Sequence, residues 1–170
     1  MVSLSGIIIR PTTEDDWLDV RALRLEMLAD TPMAFGDTLE SARALGESYW
    51  RERGRRGTAG SGANLAAIES ADERWVGTMG GYVDRTSGPM LVGVYVSPDY
   101  RGAARGVTDA LMAGIEEWAR TESDALTLRV HSQNTRAITA YERRGYVATG
   151  RLFPYILNPH QREMEMRKAL

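Results

Sequence analysis

Short β-branched runs alternate with longer amphipathic stretches along this chain. Gly6-Ile7-Ile8-Ile9-Arg10 is the first run and predicts a strand, stopped by Pro11. Thr12 or Thr13 ahead of Glu14, Asp15 and Asp16 makes a helix start with acids in its first turn. Trp17, Leu18, Ala22, Leu25 and Leu28 then recur at helical spacing, and Asp30-Thr31-Pro32 closes that helix. Leu39 to Arg53 also reads as helical, with Gly46 as a candidate break and Tyr49 and Trp50 on one face. Gly54, Gly57, Gly60 and Gly62 follow and predict an exposed, mobile loop.

Leu65 to Glu69 and Trp75 to Val83 predict two strands joined by the turn Ser70-Ala71-Asp72-Glu73. Met90 to Val96 is almost continuously apolar, the pattern of a strand covered on both faces. From Val107 the periodicity becomes helical, with Val107, Leu111, Gly114, Ile115 and Trp118 on one side and Asp109, Glu116, Glu117 and Arg120 on the other. Leu126 to Val130 alternates as a half-buried strand. Asn134 is a natural N-cap for a helix over Thr135 to Arg144, with Gly145 as its stop. Tyr146 to Thr149, Leu152 to Leu157 and Glu163 to Arg167 are the last strand-like segments.

The element order is β-α-α-β-β-β-α-β-α-β-β. It predicts one α+β domain over residues 1–170, with a mixed, mostly antiparallel sheet of about seven strands flanked by about four helices. The strand-helix-strand unit from Met90 to Val130 should be parallel and right-handed in its crossover.

Composition narrows the chemistry. A net charge of −2 gives no global field to recruit nucleic acid or a membrane surface. Cysteine is absent, which removes disulfides, thiolate nucleophiles and Cys-based zinc sites. The two histidines, His131 and His160, are too few for a metal site built mainly from imidazole, so no metal is expected. The N-terminus lacks the basic region of a signal peptide and no apolar run reaches the length of a membrane span, so the expected location is the cytoplasm.

The candidate chemistry lies between Val94 and Val107, where an apolar strand runs through a Pro-broken turn and a small-residue loop into a helix. Helix N-termini carry unpaired N–H groups and partial positive charge, and a loop of Gly and Ala lets an anion approach them. Arg101 and Arg105 are close by in sequence. Further on, Asn134-x-x-Ala137-Ile138-x-x-Tyr141-x-x-x-Gly145-Tyr146 places Asn134 and Tyr141 two helical turns apart on one face.

The hydrophobic-x-Val-x-Pro strand end, the Arg-x-x-Ala-x-Gly loop, the Leu-x-Leu-x-Val strand and the Asn134–Tyr146 motif, in this order, resemble the GNAT superfamily of acyl-CoA-dependent N-acyltransferases. The resemblance implies an acetyl-CoA site. Val94, Tyr95 and Val96 would hold the pantetheine arm and polarise the acyl carbonyl. The loop of Arg101, Gly102, Ala103, Ala104, Arg105, Gly106 and Val107 would cradle the pyrophosphate. Asn134 would lie near the pantetheine, and Tyr141 would be the general acid that protonates the departing sulfur. Plain alternatives stand beside these: a core strand, a tight helix start, an N-cap and a packed aromatic. Ala104 departs from the family loop, where Gly is usual; a negative φ there would cost little and a positive one would compromise the cradle.

The general base is unassigned. Asp37, Glu40, Asp84 and His131 are candidates, as is a water chain. By resemblance the acceptor would lie in a groove made by the first two helices and the later strands, for which Met33, Phe35, Tyr49, Tyr82 and Tyr155 are candidate lining residues. The Arg51–Arg56 run reads first as a solvated helix end, and second as a contact for cofactor phosphates or an acidic acceptor. The expected activity is direct transfer of an acetyl group to a primary amine on a small molecule or peptide; a homodimer is left open. The alternative is a CoA-binding sensor without turnover, which Ala104 and the missing base would suit.

Overall fold

A computed structural model describes the backbone of residues 2–4 and all of residues 6–170. Its strands are β1 (Val2–Leu4), β2 (Ile7–Pro11), β3 (Gly62–Glu69), β4 (Trp75–Asp84), β5 (Gly88–Val96), β6 (Ala125–His131), β7 (Val147–Tyr155) and β8 (Asn158–Ala169). Its helices are α1 (Trp17–Asp30), α2 (Leu39–Arg43), α3 (Glu47–Arg55), α4 (Val107–Glu122) and α5 (Thr135–Glu142). The strands form one sheet in the order β1-β2-β3-β4-β5-β6-β8-β7, antiparallel except for the β5–β6 pair. The expected α+β fold and the parallel β5-α4-β6 unit are both present.

Two differences in count have local causes. β1 adds a strand: Val2 faces Ile9 across a turn at Gly6, whose φ of +76° suits glycine. Three residues carry no period to read; they become a strand because the β2 edge is there to pair with. The helix expected over 39–53 divides at Gly46, which has an extended backbone and becomes the N-cap of α3.

Alternating side chains feed two cores. Ile7, Ile9, Val76, Leu91, Leu128 and Met166 pack beneath α4. Ala66, Ile68, Trp75 and Tyr95 face the opposite way, beneath α1 and α3, against Leu23, Met27 and Trp50. β5 contributes to both, as its continuous apolar run implies.

Packing also rephases two helices. α1 buries Val20, Leu23, Arg24, Met27 and Leu28, while Leu18 and Ala22 of the expected stripe are exposed. Two overlapping apolar periods exist in α1, and only contact with the sheet chooses between them; the chosen face includes an arginine. In α4, Glu116 is buried, not solvated, and the only lysine of the chain, Lys168, meets it at 2.6 Å. The glycine-rich stretch is partly structural: a Cβ on Gly54 would lie 2.3 Å from the Thr13 carbonyl oxygen, so α3 can seat on the first helical turn only without one.

The strand geometry opens the site. β5 and β6 pair only at Met90–Thr127 and Leu91–Leu128. Register then shifts against β4, from Val92 opposite Gly80 to Tyr95 opposite Thr78, leaving Gly93 and Val94 as the bulge, with φ +60° at Gly93. The bulge bends β5 away from β6 and frees the strand edge beyond Leu91.

Candidate active site

The gap between the diverging strands is a cleft of about 820 Å³, walled by Val92–Val96 of β5, the end of β6 and one face of α5. The β5 edge presents unpaired backbone N–H and C=O groups there, which an extended amide-bearing ligand can pair with as an added strand. Of the expected cofactor residues, Val94, Tyr95, Val96, Arg101, Gly102, Ala103, Asn134 and Tyr141 line this cleft.

The loop at its mouth is tighter than a simple helix start. Arg105 N–H donates to Gly102 O at 3.2 Å and Gly106 N–H to Ala103 O at 3.2 Å, so residues 102–106 close a turn before α4 begins. Ala104 therefore sits in that turn and does not open the helix. Its φ is outside the left-handed region, where Gly102 (+98°) and Gly106 (+68°) lie, so its methyl adds no backbone strain. Gly106 is the N-cap, and the first intrahelical bond is Ala110 N–H to Gly106 O at 3.0 Å. The N–H groups of Val107, Thr108 and Asp109 have no helical acceptor. Ala104, Arg105, Gly106 and Val107 are not on the cleft wall; Val107 is wholly buried in the core.

The loop arginines are engaged elsewhere. Arg101 Nε donates to Val96 O at 2.6 Å, its guanidinium pairs with Asp30, and it lies 5.4 Å from the Tyr95 ring centroid. It ties the end of β5 to the end of α1. Arg105 stacks over Tyr100. The cations that do line the cleft besides Arg101 and Arg129 are Arg136, Arg143 and Arg144 of the α5 region, which the sequence reading did not single out. Their spacing of seven and eight residues, two helical turns, was the available signal.

Asn134 is the N-cap of α5: its Oδ1 accepts from Ala137 N–H at 3.2 Å. Tyr141 packs edge to face on Tyr146, with centroids 5.7 Å apart. Burial pushes the Tyr141 phenol well above its ordinary range, against a smaller opposing pull from Arg144, so it stays protonated. His131 is buried with both ring nitrogens engaged. Nδ1 accepts from Gln133 N–H at 3.2 Å, which leaves Nε2 to donate to Gln161 Oε1 at 3.1 Å. That tautomer offers no free lone pair.

A second groove of about 980 Å³ meets the cleft at Phe35, Leu91–Gly93 and Arg129. Of the candidate acceptor-lining residues, Phe35 and Tyr82 are on its wall; Met33, Tyr49 and Tyr155 are not. Tyr49 packs on Trp50. Tyr155 is buried and donates to Phe35 O at 2.8 Å, so it fixes the loop that carries Phe35. Met33 is exposed beside that loop.

Three of the base candidates are off both walls. Asp37 accepts from Thr38 N–H and the Ser41 hydroxyl ahead of α2, and Glu40 is exposed on α2. Asp84 accepts from Ser87 and Thr86 N–H in the β4–β5 turn, which holds its carboxyl below the usual range. Two acids do line the groove: Glu52 of α3, whose carboxylate pairs with Arg55, and Glu163 of β8, read in sequence only as part of an alternating strand. Glu163 is half-buried, and its carboxylate makes no hydrogen bond or ion pair among the described residues. Desolvation raises its pKa, against opposing pulls from Arg129 and His131. Nothing local marks it out, because it reaches the groove through the pairing of β8 with β6 and β7.

The acetyltransferase (GNAT) family pattern matches residues 26–146. No curated protein matches the chain in sequence. Among solved structures, a GNAT acetyltransferase from Streptococcus pneumoniae superposes with a TM-score of 0.77 at 17% identity, covering 96% of this chain and 99% of that one. The ribosomal-protein-S5-alanine acetyltransferase of Vibrio fischeri gives 0.78 at 11% identity, covering 99% and 95%. Salmonella typhimurium yncA, solved with acetyl-CoA, gives 0.75 at 16% identity, covering 98% and 95%. At these identities the structures speak for the fold alone. The family match spans well over half of the 170 residues and includes the β5 edge, the loop and Tyr141, so the chain belongs to the GNAT acetyltransferase family.

Proposed function

We propose that the protein transfers an acetyl group from acetyl-CoA to a primary amine by direct attack. The observation that carries this is the junction of two spaces: a cleft with a free strand edge and a helix N-terminus, and a groove holding an unpaired carboxylate, meeting at the β5 bulge. Acetyl-CoA brings the activated thioester acyl group. The β5 edge around Val94–Val96 pairs with the amides of its pantetheine arm, and the 102–106 turn with the free N–H groups of α4 receives its pyrophosphate. Arg136 and Arg143 add positive charge along the same wall, while Arg144 is paired there with Asp109 at 2.8 Å.

Glu163 takes a proton from the ammonium form of the acceptor, directly or through one water. Its raised pKa suits it to that exchange better than an exposed glutamate. A backbone N–H at the bulge stabilises the charge that develops on the acyl oxygen. Tyr141 then delivers a proton to the departing sulfur and regains one through water from the nitrogen of the new amide, which sheds its second proton as the tetrahedral adduct collapses. Transfer from a phenol to a free thiolate is uphill by about 1.5 pKa units at reference values, and burial of Tyr141 steepens it. The proton therefore moves only as the carbon–sulfur bond breaks, drawn by formation of the amide.

The sensor alternative loses its two supports, since Ala104 is unstrained and the groove holds a carboxylate. The test is acetyl-CoA-dependent thiol release over an amine panel, with the acetylated product confirmed by mass. Tight acetyl-CoA binding with no transfer to any amine would return the reading to a sensor.

A further inference from the structure

Four arginines line the acceptor groove, and few of the carboxylates near them are free to pair with them. Arg24 lies on the buried face of α1 at 8% exposure, with its guanidinium over the Phe35 ring at 4.9 Å. Its Nε has no hydrogen-bond partner. Its nearest carboxylate, Asp37, stands 3.7 Å away at Oδ2, beyond hydrogen-bond distance, while Oδ1 accepts from Thr38 N–H and the Ser41 hydroxyl. Burial, with Arg53 close by, pulls the Arg24 pKa down to about 10 despite Asp37. Buried cations are normally paired, and one left so loosely held carries an unmet interaction.

α3 sorts its arginines around that point. Arg51 pairs with Glu47, and Arg55 with Glu52, on the outer side. Arg53 and Arg56 line the groove with Arg24, and neither has a carboxylate within ion-pair distance among the described residues; Arg53 reaches only the Tyr49 hydroxyl, at 3.4 Å. Glu52 also touches this wall, but its carboxylate is held by Arg55. Elsewhere on the groove the charged groups are Arg129, stacked 3.6 Å from the Phe153 ring centroid, and Glu163.

The geometry points to an acceptor that is itself anionic: a small primary amine carrying an oxyanion, carboxylate or phosphonate, seated on Arg24, Arg53 and Arg56 with its amine toward Glu163. This rests on the transferase reading for the amine end only; the anion site stands on Arg53 and Arg56, which have no carboxylate partner among the described residues, and on Arg24, which has only Asp37 at 3.7 Å. Bidentate guanidinium pairing favours planar carboxylates and tetrahedral phosphonates over neutral amides, and repels polyamines and aminoglycosides.

The test uses the whole chain with acetyl-CoA and three matched sets: L-amino acids, their carboxamides, and 1-aminoalkylphosphonates. The expected result is that the best substrate is an acid, with kcat/KM about tenfold or more above its amide. The phosphonate arm tells which oxyanion fits better. Arg53→Gln and Arg56→Gln should each raise KM for the acid by about tenfold, leaving KM for its amide and for acetyl-CoA unchanged. Arg24→Met is read only where its melting temperature is retained; the α3 variants do not depend on it. Amides or diamines accepted as well as acids, or unchanged KM in both α3 variants, would overturn the proposal. Titration calorimetry of the N-acetylated acids with CoA present separates the two readings. Binding lost in Arg53→Gln without any turnover keeps the anion site and refutes transfer. Turnover of neutral amines indifferent to Arg53 and Arg56 does the reverse. Absence of both turnover and acid binding refutes the site.

Discussion

Replacing Arg101 with methionine separates a phosphate ligand from a structural brace. The side chain joins three things: Val96 O at the end of β5, Asp30 at the end of α1, and the Tyr95 ring. A charge-assisted hydrogen bond to a part-buried carbonyl contributes about 1.5–3 kcal/mol. The Asp30 pair, with side chains 22% and 25% exposed, adds about 0.5–1 kcal/mol after solvent screening. The ring contact adds a similar about 0.5–1 kcal/mol. Methionine keeps the apolar stem and water reaches the freed carbonyl, so the net loss should be about 2–3 kcal/mol, less than the sum. For a chain of this length that lowers the melting temperature by about 4–12 °C.

The pH dependence has a defined sign. Arg101 holds the Asp30 carboxyl below its usual range, against the carboxyl's own desolvation, which is the largest single influence and acts upward. A depressed folded pKa stabilises above the unfolded value, near about 3.9, and that contribution fades as pH falls through the folded pKa. The gap between wild type and Arg101→Met should therefore narrow below about pH 4. Differential scanning fluorimetry over pH, paired with CoA titration calorimetry at two salt concentrations, reads both properties. Asp30→Asn should couple with Arg101→Met in a double-mutant cycle. An unchanged melting temperature with a large, salt-dependent loss of CoA affinity would show that Arg101 is a phosphate ligand and refute the brace.

Three further outcomes are expected. Tyr141→Phe should lower kcat by about a hundredfold or more while the acetyl-CoA KM stays within about threefold; an unchanged kcat removes Tyr141 from the chemistry. Glu163→Gln should flatten the acidic limb of the pH–rate profile. That limb should lie above the ordinary glutamate range, because the carboxyl must be ionised to accept a proton and burial resists its ionisation. A raised folded pKa stabilises only below the unfolded value and is lost as pH rises through the folded one. The variant should therefore melt no lower than wild type at neutral pH, and a lowered melting temperature with an unaltered profile would make Glu163 structural. Gly81→Ala should cost about 1–3 kcal/mol, since its Cβ would come 2.3 Å from the Trp118 ring, and Trp118→Leu should recover much of the loss; full stability of the single variant would mean β4 and α4 part freely.

Much of the site was legible in local sequence because its parts are local. The apolar β5 run, the small-residue loop, the amphipathic α4 and the Asn134–Tyr141 spacing each depend on neighbours within a few residues. Backbone chemistry, such as a strand edge and a helix N-terminus, follows from element order. The acceptor side was not legible in this way. Tyr155 looked like a wall residue and is a buried hydroxyl anchor; Arg24, outside the apolar stripe expected for α1, is on its buried face.

The sequence by itself determined the strands from β2 onward and the main helices, the parallel β5-α4-β6 unit and the position of the helix start that meets the cleft, because hydrophobic periodicity and turn chemistry act over one or two turns of chain. Tertiary structure alone decided which face of α1 is buried, that Arg101 ties the end of β5 to the end of α1, and that Glu163 of β8 shares a groove with Arg24 and Arg53. Those outcomes depend on pairings between residues far apart in the chain, and a side chain's charge does not say whether it will meet a partner or be left facing an open groove.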